Sequence, residues 1–99
     1  MFCIIYTDKP DHVDVRMKNR PAHIEYALSA GGILMGGPFT DDTGEVMNGS
    51  LIVLDTDSRE EAEAWAANDP YTKAGLFERI EVRAWKHLIG GLPDVTPKA

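Results

Sequence analysis

The chain of 99 residues is predicted to form one α+β domain. Three observations lead to this class. Four short segments, at residues 2–7, 33–37, 49–55 and 77–86, have the apolar runs or the alternation of strands. Two other segments carry the apolar spacing and the terminal signals of helices. The segments follow the order strand, helix, strand, strand, helix, strand, so both kinds of structure should share one core.

The first strand and the first helix come at the beginning of the chain. Residues 2–7 are an apolar, β-branched run and predict a buried strand. The polar residues 9–19 follow, with one helical turn predicted near their middle. The helix itself is predicted over residues 21–30, because Pro21 suits the first helical position and Gly31-Gly32 ends the segment. Its apolar stripe would consist of Ile24, Ala27 and Leu28.

A hairpin is predicted in the middle of the chain. Residues 33–37 and 49–55 have strand composition, and the loop of residues 38–48 between them is polar. The acidic side chains of this loop lack the alternating spacing of a calcium site, so the loop is interpreted as solvated and no metal site is predicted. No helix follows Gly36-Gly37, as a dinucleotide site would require, so no cofactor is predicted either.

The second helix has a clear beginning and end. Ser58 starts an S-x-x-E capping box. The helix should stop near Asn68, because Pro70 disfavours a helical conformation at Asp69. Its buried stripe would be Ala62, Trp65 and Ala66.

The last strand is predicted over residues 77–86, after a short turn at residues 71–74 that Gly75 closes. Ile80, Val82 and Ala84 would share one face of this strand. The other face would carry Arg79, Glu81, Arg83 and Trp85. The tail, residues 90–99, is predicted to be mobile or to contribute to a partner contact.

Two right-handed crossovers and a central hairpin in this order give a ferredoxin-like sandwich, with both helices on one face of a four-stranded antiparallel sheet. The other face would present Trp85 among charges, together with either Ser50, Ile52 and Leu54 or the alternate set of the third strand. A second copy of the sheet most simply covers a half-apolar face. We therefore expect a homodimer, and the sequence leaves open whether dimers assemble into a higher oligomer.

Charge and cysteine content exclude several classes of function. The net charge of -6 repels phosphate backbones and anionic lipids, so neither nucleic acid nor membrane is an expected partner. The single cysteine, Cys3, cannot form an internal disulfide and fits a reducing compartment. The apolar start is short and lacks a basic leader. The protein is therefore expected in the cytoplasm.

His23 is the histidine whose surroundings favour a chemical role. With Pro21 opening the helix, His23 would lie in the first turn, where unpaired backbone N–H groups and the helix dipole are positive. That position favours a neutral ring that can accept a proton. The alternative interpretation is a partly exposed surface histidine.

Topology should bring distant residues to one end of the sandwich. The first helix begins and the second ends where the first strand finishes, and the central hairpin turns there too. Besides His23, the residues expected at this end are Asp69, Tyr71, Tyr6, Ser50 and Gly36-Gly37-Pro38. Asp69 would orient the His23 ring and stabilise its charged form. Asp69 also suits a simpler role as the cap of the turn at Pro70, and the two roles are compatible.

Several short motifs occur in sequence across residues 2–88. They are Arg20-Pro21-Ala22-His23, Gly36-Gly37-Pro38, Gly49-Ser50, Ala64-Trp65, Asn68-Asp69-Pro70-Tyr71 and Ala74-Gly75-Leu76-Phe77. In composition and order these motifs resemble the YciI-like (YCII-related) family. The chain departs from the usual family pattern in its Gly-Gly-Pro-Phe turn and its acidic hairpin loop.

The resemblance implies a dimeric α/β-barrel of the ferredoxin-like type, with residues 1–89 as the domain and 90–99 as a tail. It also implies a cleft in which His23 and Asp69 are the catalytic pair, with Arg20, Ser50 and Tyr71 nearby. One branch similar to this family removes chloride from a hydroxylated aromatic ring. Small cyclic or aromatic substrates are therefore the implied class.

The residues and the resemblance together predict a small cofactor-independent enzyme. His23 would transfer a proton in a lyase, isomerase or hydrolase reaction on a small metabolite. Arg20 would hold an anionic group of that metabolite, with Arg79 and Arg83 on the open sheet face as alternatives. The other predicted substrate contacts are Ser50, Tyr71, Gly37, Pro38 and Tyr6. The alternative function is a non-catalytic homodimer that binds a small ligand in the same cleft.

Overall fold

The computed structural model of the chain describes residues 1–91. Its elements in chain order are β1 (Phe2–Asp8), α1 (Val13–Ala30), β2 (Ile33–Thr40), β3 (Met47–Leu54), α2 (Arg59–Asn68), α3 (Pro70–Lys73) and β4 (Phe77–Ala84). Within these residues the strands form one antiparallel sheet in the order β2-β3-β1-β4. The predicted α+β, ferredoxin-like order is confirmed, and the short turn after α2 is a helix of its own.

The start of the first helix differs from the prediction. The helix α1 begins at Val13 and has 18 residues, so Pro21 lies in its interior and not at its first position. An interior proline removes one helical hydrogen bond, and local sequence therefore argued for a boundary there. A tertiary interaction outweighs this cost, because Arg16 in the first turns is buried against Asp8 of β1.

The buried face of α1 also differs from the predicted stripe. Leu28 is 79% exposed and Ile24 is 41% exposed, whereas Ala27 packs against the core together with Tyr26. Because the helix begins at Val13, it includes Arg16. Positions 16, 20, 23 and 27 then lie on one helical face, at the spacing i, i+4, i+7 and i+11. The face that α1 turns toward the sheet is therefore rich in cationic and aromatic groups.

The core lies between the sheet and α2. Inward side chains of β1 and β3 meet in register, with Phe2 opposite Leu54 and Ile4 opposite Ile52. The predicted stripe of α2 is confirmed, since Ala62, Trp65 and Ala66 are all buried in this cluster. The Ser58 hydroxyl accepts a hydrogen bond from the Glu61 backbone N–H at 3.2 Å, as the capping box predicts.

The hairpin strands are longer than predicted, and β4 is shorter. Strand β2 continues to Thr40 and β3 starts at Met47, so residues 38–40 and 47–48 belong to strands and not to the loop. Pro38 is accommodated because β2 is an edge strand, where a missing N–H is tolerated. Strand β4 ends at Ala84, two residues before the predicted end.

Gly49, the third residue of β3, occupies a position where the sheet has no room for a side chain. A β-carbon at this position would collide with the carbonyl oxygen of Tyr6 and would lie 3.1 Å from Cδ2 of Phe39. Strands β1 and β3 can pair closely here only because residue 49 has no side chain. This close pairing places the next residue, Ser50, directly opposite Tyr6 on the helix side.

Among the described residues, no helix packs on the second face of the sheet. This face presents Met35 and Phe39, which are 40% and 42% exposed, beside the half-buried Ile5 and Leu51. Ser50, Ile52 and Leu54 face the helices, so the alternate set of β3 lies on this open face. Ile80 and Val82 of β4 lie beside α2, and Arg79 forms an ion pair with Glu81.

Two further expectations concern the rest of the chain. In the part of the chain that the structure describes, no helix is long and apolar enough to cross a membrane. The tail predicted at residues 90–99 lies, from residue 92 onward, outside the described residues.

Candidate active site

A cavity of about 220 Å³ opens between α1 and the hairpin formed by β2 and β3. Its polar lining comes from Arg16, Arg20, His23, Ser50 and Tyr71. The remaining lining is apolar and includes Ala27, Ile33, Pro38 and Ile52, so a bound ring would meet apolar walls and a few polar groups. No carboxylate of residues 1–91 lines this cavity, although the chain as a whole has a net charge of -6.

His23 and Asp69 are in direct contact. The distance from His23 Nδ1 to Asp69 Oδ1 is 2.8 Å. A carboxylate can only accept, so this contact places the proton on Nδ1 when Asp69 is ionised. Among residues 1–91 the Nε2 atom has no hydrogen-bond partner, and the His23 side chain is 13% exposed at the cavity wall. The ring is therefore held by one nitrogen, and the other is available for proton transfer.

Asp69 is fully buried and accepts three hydrogen bonds. Besides His23, the Tyr6 hydroxyl donates to Oδ2 at 3.1 Å and the Tyr71 backbone N–H donates to Oδ1 at 2.9 Å. The bond from the Tyr71 backbone N–H makes Asp69 the N-cap of α3. The same carboxylate orients the His23 ring. The two interpretations that the sequence left open therefore both describe this residue.

Tyr71 forms the floor beside His23. The two rings stack, with centroids 4.1 Å apart and planes inclined by 13°. The guanidinium carbon of Arg16 lies 4.7 Å from the centre of the Tyr71 ring. Burial raises the pKa of the Tyr71 hydroxyl, and nearby Asp69 raises it further, against the opposing effect of Arg16 and Arg20. Tyr71 therefore stays a neutral hydroxyl at the cavity wall.

Arg16 and Asp8 are two site residues that sequence reasoning missed. Arg16 donates from Nε and Nη2 to the two carboxylate oxygens of Asp8, at 2.7 and 2.9 Å. Their side chains are only 3% and 5% exposed. Burial lowers the pKa of Arg16, but the hydrogen bonds and charge of Asp8 outweigh burial and raise it. Arg16, Arg20 and His23 are spaced i, i+4 and i+7, which would have placed Arg16 on the same helical face as His23. The predicted helix start at Pro21 excluded Arg16 from the helix, so this spacing was not recognised.

Comparisons with known proteins show the family to which the chain belongs. The sequence model of the YCII-related domain matches residues 1–86. The chain belongs to the YCII-related family. It is 35% identical over 95 residues to Protein YciI of Escherichia coli O6:H1, covering 87% of this chain and 97% of that protein. Protein YciI of Shigella flexneri matches to the same extent.

Solved structures place this YCII-family chain among ferredoxin-like folds. One similar structure is 5-chloro-2-hydroxyhydroquinone dehydrochlorinase (TftG) from Burkholderia phenoliruptrix AC1100, in complex with 2,5-dihydroxybenzoquinone. It has a TM-score of 0.76 and 38% identity, and the match covers 88% of this chain and 95% of that chain. An antibiotic biosynthesis monooxygenase has a TM-score of 0.55 at 13% identity, covering 90% and 100%, and shows the fold alone.

The predicted site residues of this YCII-family chain fall into two groups. Those that line the cavity are Arg20, His23, Gly37, Pro38, Ser50 and Tyr71. Asp69 and Tyr6 do not line it: both side chains are fully buried, and the Tyr6 hydroxyl donates a hydrogen bond to Asp69. Arg79 and Arg83 pair in register with residues of β1 that belong to the open face, so they lie away from the cavity.

The prediction that His23 lies in the first turn of a helix is wrong, because α1 begins at Val13, ten residues before His23. The helix dipole is therefore not the local influence on the ring. Its place is taken by the Asp69 carboxylate and the stacked Tyr71.

As for metals, residues 1–91 contain no group of three or more His, Cys, Asp or Glu side chains placed to hold an ion.

We expect the protein to lose stability above about pH 10, with Tyr6 as a main cause. Burial raises the pKa of Tyr6 well above its ordinary value of 10.0, and Asp69 raises it further. Below pH 10 the tyrosine is protonated in the folded and the unfolded chain, so its contribution is constant. Above pH 10 only the unfolded chain releases this proton. The free energy of unfolding then falls by about 1.4 kcal/mol per pH unit for this group.

Chemical denaturation at a series of alkaline pH values measures this loss. The Tyr6→Phe variant should show a shallower fall than the wild type. Tyr26→Phe is the matched control. The Tyr26 hydroxyl donates to the Trp65 carbonyl at 2.9 Å, and burial also raises the pKa of Tyr26, but this side chain is more exposed than that of Tyr6. Equal alkaline slopes for the wild type and Tyr6→Phe would contradict the assignment.

Proposed function

We propose that this YCII-family chain is a cofactor-independent enzyme that acts on a small cyclic or aromatic metabolite by proton transfer through His23. The observation that carries the proposal is that His23, which lines the cavity, contacts the buried Asp69 with 2.8 Å between Nδ1 and Oδ1. A histidine fixed through Nδ1 by a buried carboxylate, with Nε2 unpaired in the described chain, has the arrangement of a general acid or base.

In the proposed reaction, Nε2 of His23 takes a proton from the substrate and Asp69 stabilises the charged ring. The Tyr6 hydroxyl and the Tyr71 backbone N–H hold the other lone pairs of Asp69, so the carboxylate keeps its orientation. The stacked Tyr71 ring limits rotation of the imidazole. A lyase, isomerase or hydrolytic step that begins with loss of a proton fits this set of groups.

The substrate class follows from the size and charge of the cavity. A volume of about 220 Å³ with apolar walls suits one small ring and not a long chain. The ionisable lining groups are Arg16, Arg20, His23 and Tyr71, so an anionic substituent finds no carboxylate there. The TftG neighbour holds 2,5-dihydroxybenzoquinone, a small ring with acidic hydroxyl groups. We propose hydroxylated or carboxylated rings as substrates.

We also propose that the protein works as a homodimer in the cytoplasm. The open sheet face supports the dimer, because Met35, Phe39, Ile5 and Leu51 form an apolar surface that no helix of residues 1–91 covers. Such a face is unfavourable in water and suits a second copy of the same sheet. A single cysteine supports the reducing compartment.

The His23→Ala variant should lose at least about a hundredfold in turnover while keeping its fold, because general acid–base groups contribute on this order. Chloride release from 5-chloro-2-hydroxyhydroquinone is the first assay, followed by product analysis on a panel of small hydroxylated and carboxylated rings. His87→Ala is the control, since His87 is exposed and bonds only the Gly90 carbonyl in the described chain. Undiminished turnover by His23→Ala would remove this residue from the mechanism.

The same experiment separates catalysis from simple binding. A compound that raises the melting temperature and is recovered chemically changed supports the enzyme. If every stabilising compound, including 2,5-dihydroxybenzoquinone, is recovered unchanged, the protein is a small-ligand-binding module that uses the same cavity.

The Arg20→Gln variant should bind 2,5-dihydroxybenzoquinone about tenfold more weakly and with a smaller dependence on salt. Arg20 lines the cavity, and no carboxylate of residues 1–91 forms an ion pair with it, so its charge is available to an anion. Lys18→Gln is the matched control, because Lys18 is exposed on the same helix outside the cavity. Titration calorimetry at two ionic strengths makes the comparison, and equal losses for both variants would refute a local role for Arg20.

The Leu51→Lys variant should sediment as a monomer under conditions where the wild type sediments as a dimer. Leu51 lies near the centre of the open sheet face, and a buried lysine there would lack a partner. Sedimentation velocity at several protein concentrations measures the state. A monomeric wild type, or a dimer that this charge leaves unchanged, would refute a dimer through the open face.

A further inference from the structure

The Ser50 hydroxyl is a buried donor without an acceptor in the described chain. It is 3% exposed and lies at the cavity wall. Its oxygen accepts a hydrogen bond from Nη2 of Arg16 at 3.0 Å. No oxygen or nitrogen of residues 1–91 accepts from the Ser50 hydroxyl, so its hydrogen is available to a molecule in the cavity.

Arg16 is held too firmly to act as a mobile cation. Two of its nitrogens donate to the carboxylate of Asp8, and this two-point geometry fixes the guanidinium plane. The Tyr71 ring lies 4.7 Å from the guanidinium carbon and restricts the plane further. Asp8 balances the charge of Arg16 locally, which leaves Arg20 as the cavity's uncompensated arginine.

We propose that Ser50 donates a hydrogen bond to a substrate oxygen that gains negative charge during proton transfer, and that Arg16, tied to Asp8, is the positioning residue that directs this hydroxyl. This inference rests on the proposed function, because the charge arises when His23 removes a proton. A hydroxyl that accepts from a guanidinium is polarised and becomes a better donor. Its fixed oxygen also limits the directions in which the hydrogen can point.

The step balances without any further reactant. The bond between the substrate proton and its carbon or oxygen breaks, and the proton passes to Nε2 of His23. The electron pair left behind spreads through the ring onto an oxygen substituent, whose charge meets the Ser50 hydroxyl. Ser50 forms no covalent bond, and nothing is oxidised or reduced. A preorganised donor of this kind accelerates such reactions by about 10²–10³-fold in known enzymes.

The test uses the full-length protein and the probe 2,5-dihydroxybenzoquinone, whose ring oxygens carry negative charge when its hydroxyl groups ionise. Ser50→Ala should weaken binding about tenfold, the size expected for one hydrogen bond to a charged oxygen. The infrared C–O stretch of the bound probe should shift to higher frequency in this variant. Ser29→Ala is the matched control, because Ser29 is an exposed serine of α1 that bonds only the Tyr26 carbonyl.

The role of Arg16 is tested by a double-mutant cycle. Arg16→Lys should weaken binding and shift the infrared band only while Ser50 is present, so the double variant should bind no more weakly than Ser50→Ala alone. A purely structural role would weaken binding in both backgrounds. If Arg16→Lys does not fold, Asp8→Asn, which removes one charge from the pair, takes its place in the cycle.

Each outcome is decisive. Wild-type affinity and an unshifted band in Ser50→Ala would overturn the inference, as would failure of the wild type to bind the probe at millimolar concentration. Losses that add in the double variant would overturn the part assigned to Arg16. The proposed function is decided separately by turnover of His23→Ala, in which Ser50 remains intact.

Discussion

The structure of the site depends on one buried carboxylate. Asp69 has no exposed surface, and it is stable there because three donors from β1, α1 and α3 converge on its two oxygens. The residue joins elements that are far apart in sequence: its bond to His23 spans 46 positions and its bond to Tyr6 spans 63. Any rearrangement of these elements would leave the buried carboxylate without hydrogen-bond donors, so these contacts hold the histidine in place.

A second buried interaction sets the other side of the cavity. The Arg16–Asp8 pair anchors the first turns of α1 to the end of β1, and it explains how a helix with an interior proline extends back to Val13. Because α1 starts there, one face of the helix presents Arg16, Arg20 and His23 together. Two contacts therefore shape the cavity: Arg16 with Asp8, and His23 with Asp69. The Tyr71 ring lies between them, stacked on His23 and facing the Arg16 guanidinium.

Sequence reasoning was sufficient where local signals and topology agree. The order of elements, the Ser58 cap and the stripe of α2 follow from periodicity, turn chemistry and the geometry of crossovers. His23 does contact Asp69, but from the interior of α1 and not from the helix start on which the topological argument relied. Sequence reasoning failed where a distant contact overrides a local preference. Pro21 predicted a helix start because no local signal reveals that Arg16 is paired with Asp8. The same error concealed Arg16, because this residue then fell outside the predicted helix and could not be aligned with Arg20 and His23.

Pro38 on the outer strand β2 has a consequence for how copies of this chain can associate. Edge strands present free backbone donors, and proline supplies none, so the row of donors along β2 is interrupted there. Continuation of the sheet by a neighbouring molecule, the usual route to uncontrolled strand polymers, is thereby discouraged at this border. Pro38 also lines the cavity. One proline therefore contributes both to the shape of the binding space and to the interruption of the edge strand.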